Sequence, residues 1–264
     1  MKKIFFSIVV LMIAGRMYGQ LLTENFDYPA GQLITANGWT AHSAGGTNAI
    51  TVTAPGLTYS GHPGSGVGNG VTMTTSGEDD NRAFTSTNSG SVYLSFLVNI
   101  SAVQTAGDYF IGLFQSSSVF PLRVYAKSDG SGGFYFGITK GASTPVVYET
   151  TPRSLNTTYF IVAKYTFNSG TTTDDVVDLW VNPALGGAET PADIANVTGT
   201  GTDGSSIGAV YLRQGSATNA ATPQVDAILA GTLWSEVTPS ASVPTITTTP
   251  LTAFGNICIN TTAG

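Results

Sequence analysis

Cysteine is almost absent from this chain of 264 residues: Cys258 stands alone. No internal disulfide can form, and no cysteine-based zinc site exists. Charge is scarce as well, at 10% of residues against an average of about 25%. The 10 lysines and arginines are scattered singly in a chain of net charge −6, so the basic stripe of a general nucleic-acid binder is missing. Long runs of Ala, Glu, Lys, Leu and Arg are also missing, which excludes coiled coils and helical bundles. The 32 glycines follow no Gly-X-Y period, which excludes collagen. No apolar run reaches the roughly 20 residues of a membrane-spanning helix. With 42% hydrophobic residues, the chain still has material for a large core.

The N-terminus reads Met1-Lys2-Lys3, an apolar run from Ile4 to Ala14, and a short polar end at Gly15 to Gln20. This is the pattern of a secretory signal, residues 1–19, cleaved near Gly19. No cysteine stands there to carry a lipid. The mature chain is expected to be secreted or held at the cell surface, with no membrane span.

Alternation with period two then recurs. In Ser91 to Ile100, Val92, Leu94, Phe96, Val98 and Ile100 share one face, while Tyr93, Ser95, Leu97 and Asn99 take the other. Further strands are expected at 108–114, 122–127, 134–139, 159–167, 176–181, 207–213 and 224–229. Asp129-Gly130-Ser131-Gly132-Gly133 and Asn168-Ser169-Gly170 read as turns. Pro191 to Asn196 has room for one helical turn. Short polar turns between many strands predict an all-β, antiparallel sandwich or barrel. The domain is expected over residues 20–238. Residues 239–245, with Pro239 and Pro244 among Ser, Thr and Ala, read as a linker. Residues 246–264 restart a strand-like pattern, so the chain is expected to be the front of a longer multi-domain protein.

Particular segments carry a family resemblance. Glu24-Asn25-Phe26-Asp27 followed by Gly38-Trp39 resembles the opening strand of concanavalin A-like jelly rolls. The hairpin from Tyr159 to Pro183 resembles that of laminin-G-like domains. Gln224 to Ile228, with Trp234-Ser235-Glu236-Val237 behind it, resembles the final strand of that fold. Residues 63–69 and 77–82 are similar to segments of large surface proteins of Bacteroidetes-type bacteria. This resemblance implies a β-sandwich of jelly-roll type, a following Ig-like module and type IX secretion.

The glycosidases of that fold carry Glu-x-Asp-x-x-Glu on one strand, where alternation aligns the carboxylates. The sequence lacks this motif. Glu78-Asp79-Asp80 are adjacent, and Asp174, Asp175 and Asp178 sit at a turn and hairpin without a partner glutamate. There is also no His-Glu-x-x-His and no Gly-x-Ser-x-Gly. The expectation is therefore a non-catalytic recognition or adhesion module, not an enzyme, binding a glycan or glycoprotein. The alternatives are a structural spacer, or an accessory domain of an enzyme whose catalytic domain lies elsewhere.

Two ligand sites are candidates. One is a sheet floor of Arg123, Tyr125, Lys127, Lys164 and Trp180, with Tyr135 and Asp178 nearby. The other is a loop set of Trp39, His42, Tyr59, His62, Glu78 and Arg82; in it, Arg82 and Glu78 have the alternative of a loop-pinning ion pair. The family resemblance further implies a structural calcium ion where the first and last strands meet. Its matching carboxylates are Glu24, Asp27 and Asp226, suited to a hard cation.

Overall fold

The computed structural model describes residues 20–116, 118–142 and 144–241. The signal at 1–19, the tail at 246–264 with Cys258, and most of the linker lie outside these residues. In chain order the strands begin with β1 (Leu22–Glu24), β2 (Thr40–Ser43), β3 (Val52–Thr53), β4 (Gly70–Thr72), β5 (Asp79–Thr87), β6 (Ser91–Ala102), β7 (Asp108–Phe114) and β8 (Leu122–Ser128). They continue with β9 (Gly133–Lys140), β10 (Val147–Tyr148), β11 (Arg153–Ser154), β12 (Thr158–Thr166), β13 (Val176–Val181), β14 (Ile194–Val197), β15 (Ile207–Leu212) and β16 (Thr222–Gly231). A single helical turn, α1 (Trp234–Val237), follows.

These strands form two antiparallel eight-stranded sheets. The first runs β14-β13-β12-β6-β16-β4-β3, with β1 also on β16. The second runs β10-β9-β8-β7-β15-β5-β2, with β11 also on β9. Neighbours such as β6 and β16, or β7 and β15, are far apart in sequence, so the chain crosses repeatedly between sheets. The result is an antiparallel β-sandwich of jelly-roll type. Among the described residues, no helix is long and apolar enough to cross a membrane.

The alternation read from the sequence sets the core. Val92, Leu94, Phe96, Val98 and Ile100 of β6 meet Phe110, Ile111, Val124, Phe136 and Leu212 of the opposing sheet. Each such side chain contributes roughly 1.5–3 kcal/mol by leaving water. The outer side of the first sheet is covered too. Tyr93, Leu97, Phe160, Val162 and Trp180 pack beneath Leu57, Trp234 and Val237. Strand β6 is therefore buried on both faces, which its near-continuous apolar run allows. The segment expected to hold a helical turn instead contains β14, where Ile194 pairs with Leu179 at the sheet edge. Pairing with β13 satisfies backbone groups on one side, the Asn196 N–H donates to Asp178 Oδ1, and the buried Ile194 anchors the strand.

Candidate functional site

The outer face of the second sheet carries a different surface. Register places Tyr109 opposite Tyr125, and Gly112 between Arg123 and Tyr211. A Cβ at Gly112 would lie 2.8 Å from the Tyr211 hydroxyl and collide with the Leu122 carbonyl. Glycine there lets the Tyr211 ring lie down against the sheet. Gly137 does the same for Tyr148, whose ring would stand 2.6 Å from an added Cβ.

Rings then tile the face. Phe120 meets Tyr211 at 4.9 Å between centroids and Phe114 at 5.4 Å, while Tyr109 meets Tyr125 at 5.4 Å. Cations lie on this floor. The guanidinium of Arg123 is 4.6 Å from the Tyr109 centroid and 5.4 Å from that of Phe120. Arg213 is 4.0 Å from the Tyr109 centroid, and Lys127 Nζ is 4.0 Å from that of Tyr148. Arg213 is also paired with Asp108 at 2.8 Å. Arg123 is not tied in this way, and its buried Nε–H has no hydrogen-bond partner among the described residues.

His42, on β2, completes the floor. Its ring is 4.9 Å from Phe114 and 5.8 Å from Phe120. Burial lowers its pKa to about 4, so the imidazole is neutral near pH 7. Its Nδ1 lies 3.4 Å from Asn81 Nδ2, and its Nε2 is buried without a partner among the described residues. Burial pushes the Tyr148 phenol up to about 12, so that group stays protonated. Beside the floor, Phe120, Arg123, Gln115 and residues 201–205 line an open cleft of about 310 Å³.

The residues singled out from sequence fall in several places. Arg123, Tyr125 and Lys127 share the outer face of the second sheet, with Tyr135 opposite Lys127 on β9. Lys164 and Trp180 belong to the other sheet. The single floor expected from all five therefore does not form, because β8 and the β12–β13 hairpin join different layers. Lys164 is engaged by Asp178 at 3.1 Å and Glu189 at 2.7 Å. Trp180 is buried, and its Nε1–H donates to the Thr190 carbonyl.

The loop set is likewise divided. Trp39 stacks on Phe26 and donates to Glu24. His62 is buried against Phe160 on the first sheet's outer side, and burial lowers its pKa to about 4. Tyr59 packs against Phe160 as well. Arg82 pairs with Glu24 at 3.3 Å, so the alternative pairing with Glu78 is not what forms. His42 is the one member that joins the aromatic floor. The floor's other rings, Tyr109, Phe114, Phe120 and Tyr211, carry no local signal in the sequence beyond alternation on separate strands.

The three carboxylates matched to calcium do not fit that role. Glu24 accepts from the Phe26 amide, the Tyr28 hydroxyl and the Trp39 indole, besides pairing with Arg82. Asp226 accepts from the amides of Leu57 and Ala227, and Asp27 is exposed. Protein donors already occupy the oxygens of Glu24 and Asp226 that a metal would need. A different acidic group, Asp174, Asp175 and Asp203, brings one oxygen each within 4.8 Å of the others and could hold a metal ion. The Lys140 ammonium is already ion-paired with Asp203 there.

No protein-family model matches this chain, and no curated protein matches it. Solved structures do. A substituted form of alginate lyase Aly36B, in complex with alginate trisaccharide, aligns with TM-score 0.51 at 12% identity, over 82% of this chain and 99% of that one. An endo-β-1,4-glucuronan lyase from the fungus Trichoderma reesei aligns with TM-score 0.44 at 10% identity, over 83% and 98%. A pentraxin from Limulus polyphemus aligns with TM-score 0.40 at 11% identity, over 69% and 75%. At these identities the likeness is one of fold. It corrects the expectation of a non-catalytic module that is not an enzyme. That expectation took a missing glycosidase motif to mean missing catalysis, whereas a sandwich of this kind also carries alginate lyase.

Proposed function

We propose that this chain is a carbohydrate-active enzyme that acts on an acidic polysaccharide laid along the outer face of its second sheet. The observation that carries this reading is the aromatic floor crossed by Arg123, Arg213 and Lys127. Rings match the apolar faces of sugar units, and cations match carboxylates. A guanidinium beside a uronate carboxylate stabilises the charge that develops when the proton on the adjacent carbon is removed. The base assigned to this site is His42, neutral near pH 7; its Nε2, buried beside Phe114 and Phe120 and without a partner among the described residues, must turn outward to reach the sugar. The electrons left behind form a carbon–carbon double bond as the glycosidic oxygen leaves with its bonding pair and takes a proton from water. The alginate lyase of comparable fold is in keeping with this chemistry.

The lysine-led apolar start supports export with removal of residues 1–19. The proline-bearing stretch 239–245 supports a linker to a following Ig-like module, and the opening and closing segments support a place among concanavalin A-like sandwiches.

The test incubates purified protein with alginate, polyglucuronate and a neutral glucan. Ultraviolet absorbance of the unsaturated product and new reducing ends are recorded. Both signals are expected from an acidic polymer alone, and Arg123→Ala should abolish them. Cleavage of the neutral glucan alone, or no cleavage of any polymer by folded protein, overturns the proposal.

A further inference from the structure

Glu78 and Asp80 sit where the turn after β2 meets the start of β5, outside the aromatic floor. Asp80 is fully buried and Glu78 is 3% exposed. Their carboxyl groups are hydrogen-bonded to each other. Among the described residues, no other group donates to either Asp80 oxygen or to Glu78 Oε1. Two carboxylates in one buried place cannot both be charged, so a single proton is shared between them. Burial, with the adjacent Glu78 carboxylate, raises the pKa of Asp80 to about 7.

No neighbouring charge takes over from that proton. Residues 44–53 and 70–77 carry no titratable side chain. Asp79 adds negative charge and accepts from the Gln214 amide at 2.8 Å. Arg82, the next basic residue along β5, is paired with Glu24, and Arg213, just past β15, with Asp108. His42 of β2 packs on Phe114 and is neutral near pH 7.

The turn is fastened unevenly. Its far leg is anchored independently of the pair: the Glu78 amide donates to the Thr47 carbonyl, and Asn48 is held by the Ser76 carbonyl and Gln214. The near leg, residues 44–46, is joined to β5 through one hydrogen bond among the described residues, from the Gly46 amide to Glu78 Oε2 at 2.6 Å. Ala44 in this leg is held at φ 48°, in the left-handed region that residues with a Cβ disfavour, so the leg relaxes when its fastening weakens.

We propose that Glu78 and Asp80 form a pH-operated latch: the proton they share clasps the near leg of the turn to β5, and its loss releases that leg and loosens β2. When the proton leaves, two buried carboxylates repel each other, and hydration at the turn relieves them. The folded pKa of Asp80 lies above the unfolded 3.8, so the stabilisation is fully present below 3.8 and is lost as pH rises through about 7. The latch does not depend on the polysaccharide reading; only its effect on His42 does.

The test follows amide hydrogen exchange of residues 40–48 in the full chain by mass spectrometry, from pH 6 to pH 8, scaled for the intrinsic pH dependence of exchange. Opening of this segment is expected to rise about tenfold between pH 7 and pH 8. Asp80→Asn and Glu78→Gln each replace the shared proton by an amide N–H that does not titrate, and each should abolish the rise. Asp226→Asn should keep it. Folding is checked by far-ultraviolet circular dichroism, and if Asp80→Asn does not fold, Glu78→Gln decides. A flat profile in the unaltered chain, a rise surviving in Glu78→Gln, or one lost in Asp226→Asn, overturns the proposal.

Discussion

Arg123 is the floor's least encumbered cation, and its replacement separates binding from folding. Its guanidinium stacks on Tyr109 and Phe120 but makes no ion pair among the described residues. A charge-assisted contact contributes about 1.5–3 kcal/mol. Arg123→Ala is therefore expected to weaken binding of an acidic polysaccharide roughly 10- to 100-fold by calorimetry, and Lys164→Ala to leave it unchanged. Gly112 is a steric requirement of the same floor. Gly112→Ala should destabilise the protein by about 1–3 kcal/mol in urea unfolding, because the Leu122 carbonyl and the Tyr211 ring leave no room for a methyl group.

Asp226 sets a pH dependence. Burial, with Glu24 nearby, raises its pKa from 3.8 to about 7, against the lowering effect of two amide donors. The folded state thus holds this proton more tightly than the unfolded chain does. The resulting stability is fully present below the unfolded pKa and is lost as pH rises through about 7. Tm should fall between about pH 4 and pH 7, and Asp226→Asn should flatten that slope in thermal scans. An unchanged slope in the variant would remove Asp226 as its cause.

Among the elements, the end of the β12–β13 hairpin depends on a buried cation. Lys140, at the end of β9, is 1% exposed; it pairs with Asp203 and donates to the Thr173 carbonyl. Asp203 in turn accepts from the amides of Asp174 and Asp175, and Tyr165 donates to Asp175. Removing the ammonium leaves carboxylates without their counter-charge, a loss of about 3–5 kcal/mol. Lys140→Ala should show this in chemical denaturation, and a loss under about 1 kcal/mol would mean the pair is hydrated. The strands themselves were legible. Each of the eight expected lies within a residue or two of an observed one, because alternation of apolar and polar residues reports burial directly. The two-residue strands β3, β10 and β11 were not legible, since so few residues hold no period; nor were the short β2, β4 and β14, nor the nine-residue β5, whose polar run was read as loop.

Across the whole molecule, two apolar layers must fold together. Trp39 reports on the space between the sheets, while Trp180 and Trp234 report on the outer cluster. Strand β6 contributes to both layers, so residues 20–241 are expected to unfold in one transition. Circular dichroism and tryptophan fluorescence should then coincide, and separate midpoints would show that the outer cluster melts alone.

The sequence by itself determined the all-β class, the positions of the eight strongly alternating strands and, where the alternation was clean, their inward and outward faces. These follow from local periodicity. The tertiary structure decided which strands became neighbours. Arg123 and Tyr125 lie on one sheet, Lys164 and Trp180 on the other, and His42 reaches Phe114 from an edge strand far away in the chain. Strand alternation carries no record of partner or layer. The site is made from residues on β2, β7, β8, β10 and β15, so it exists only once the crossovers have set those strands in one sheet.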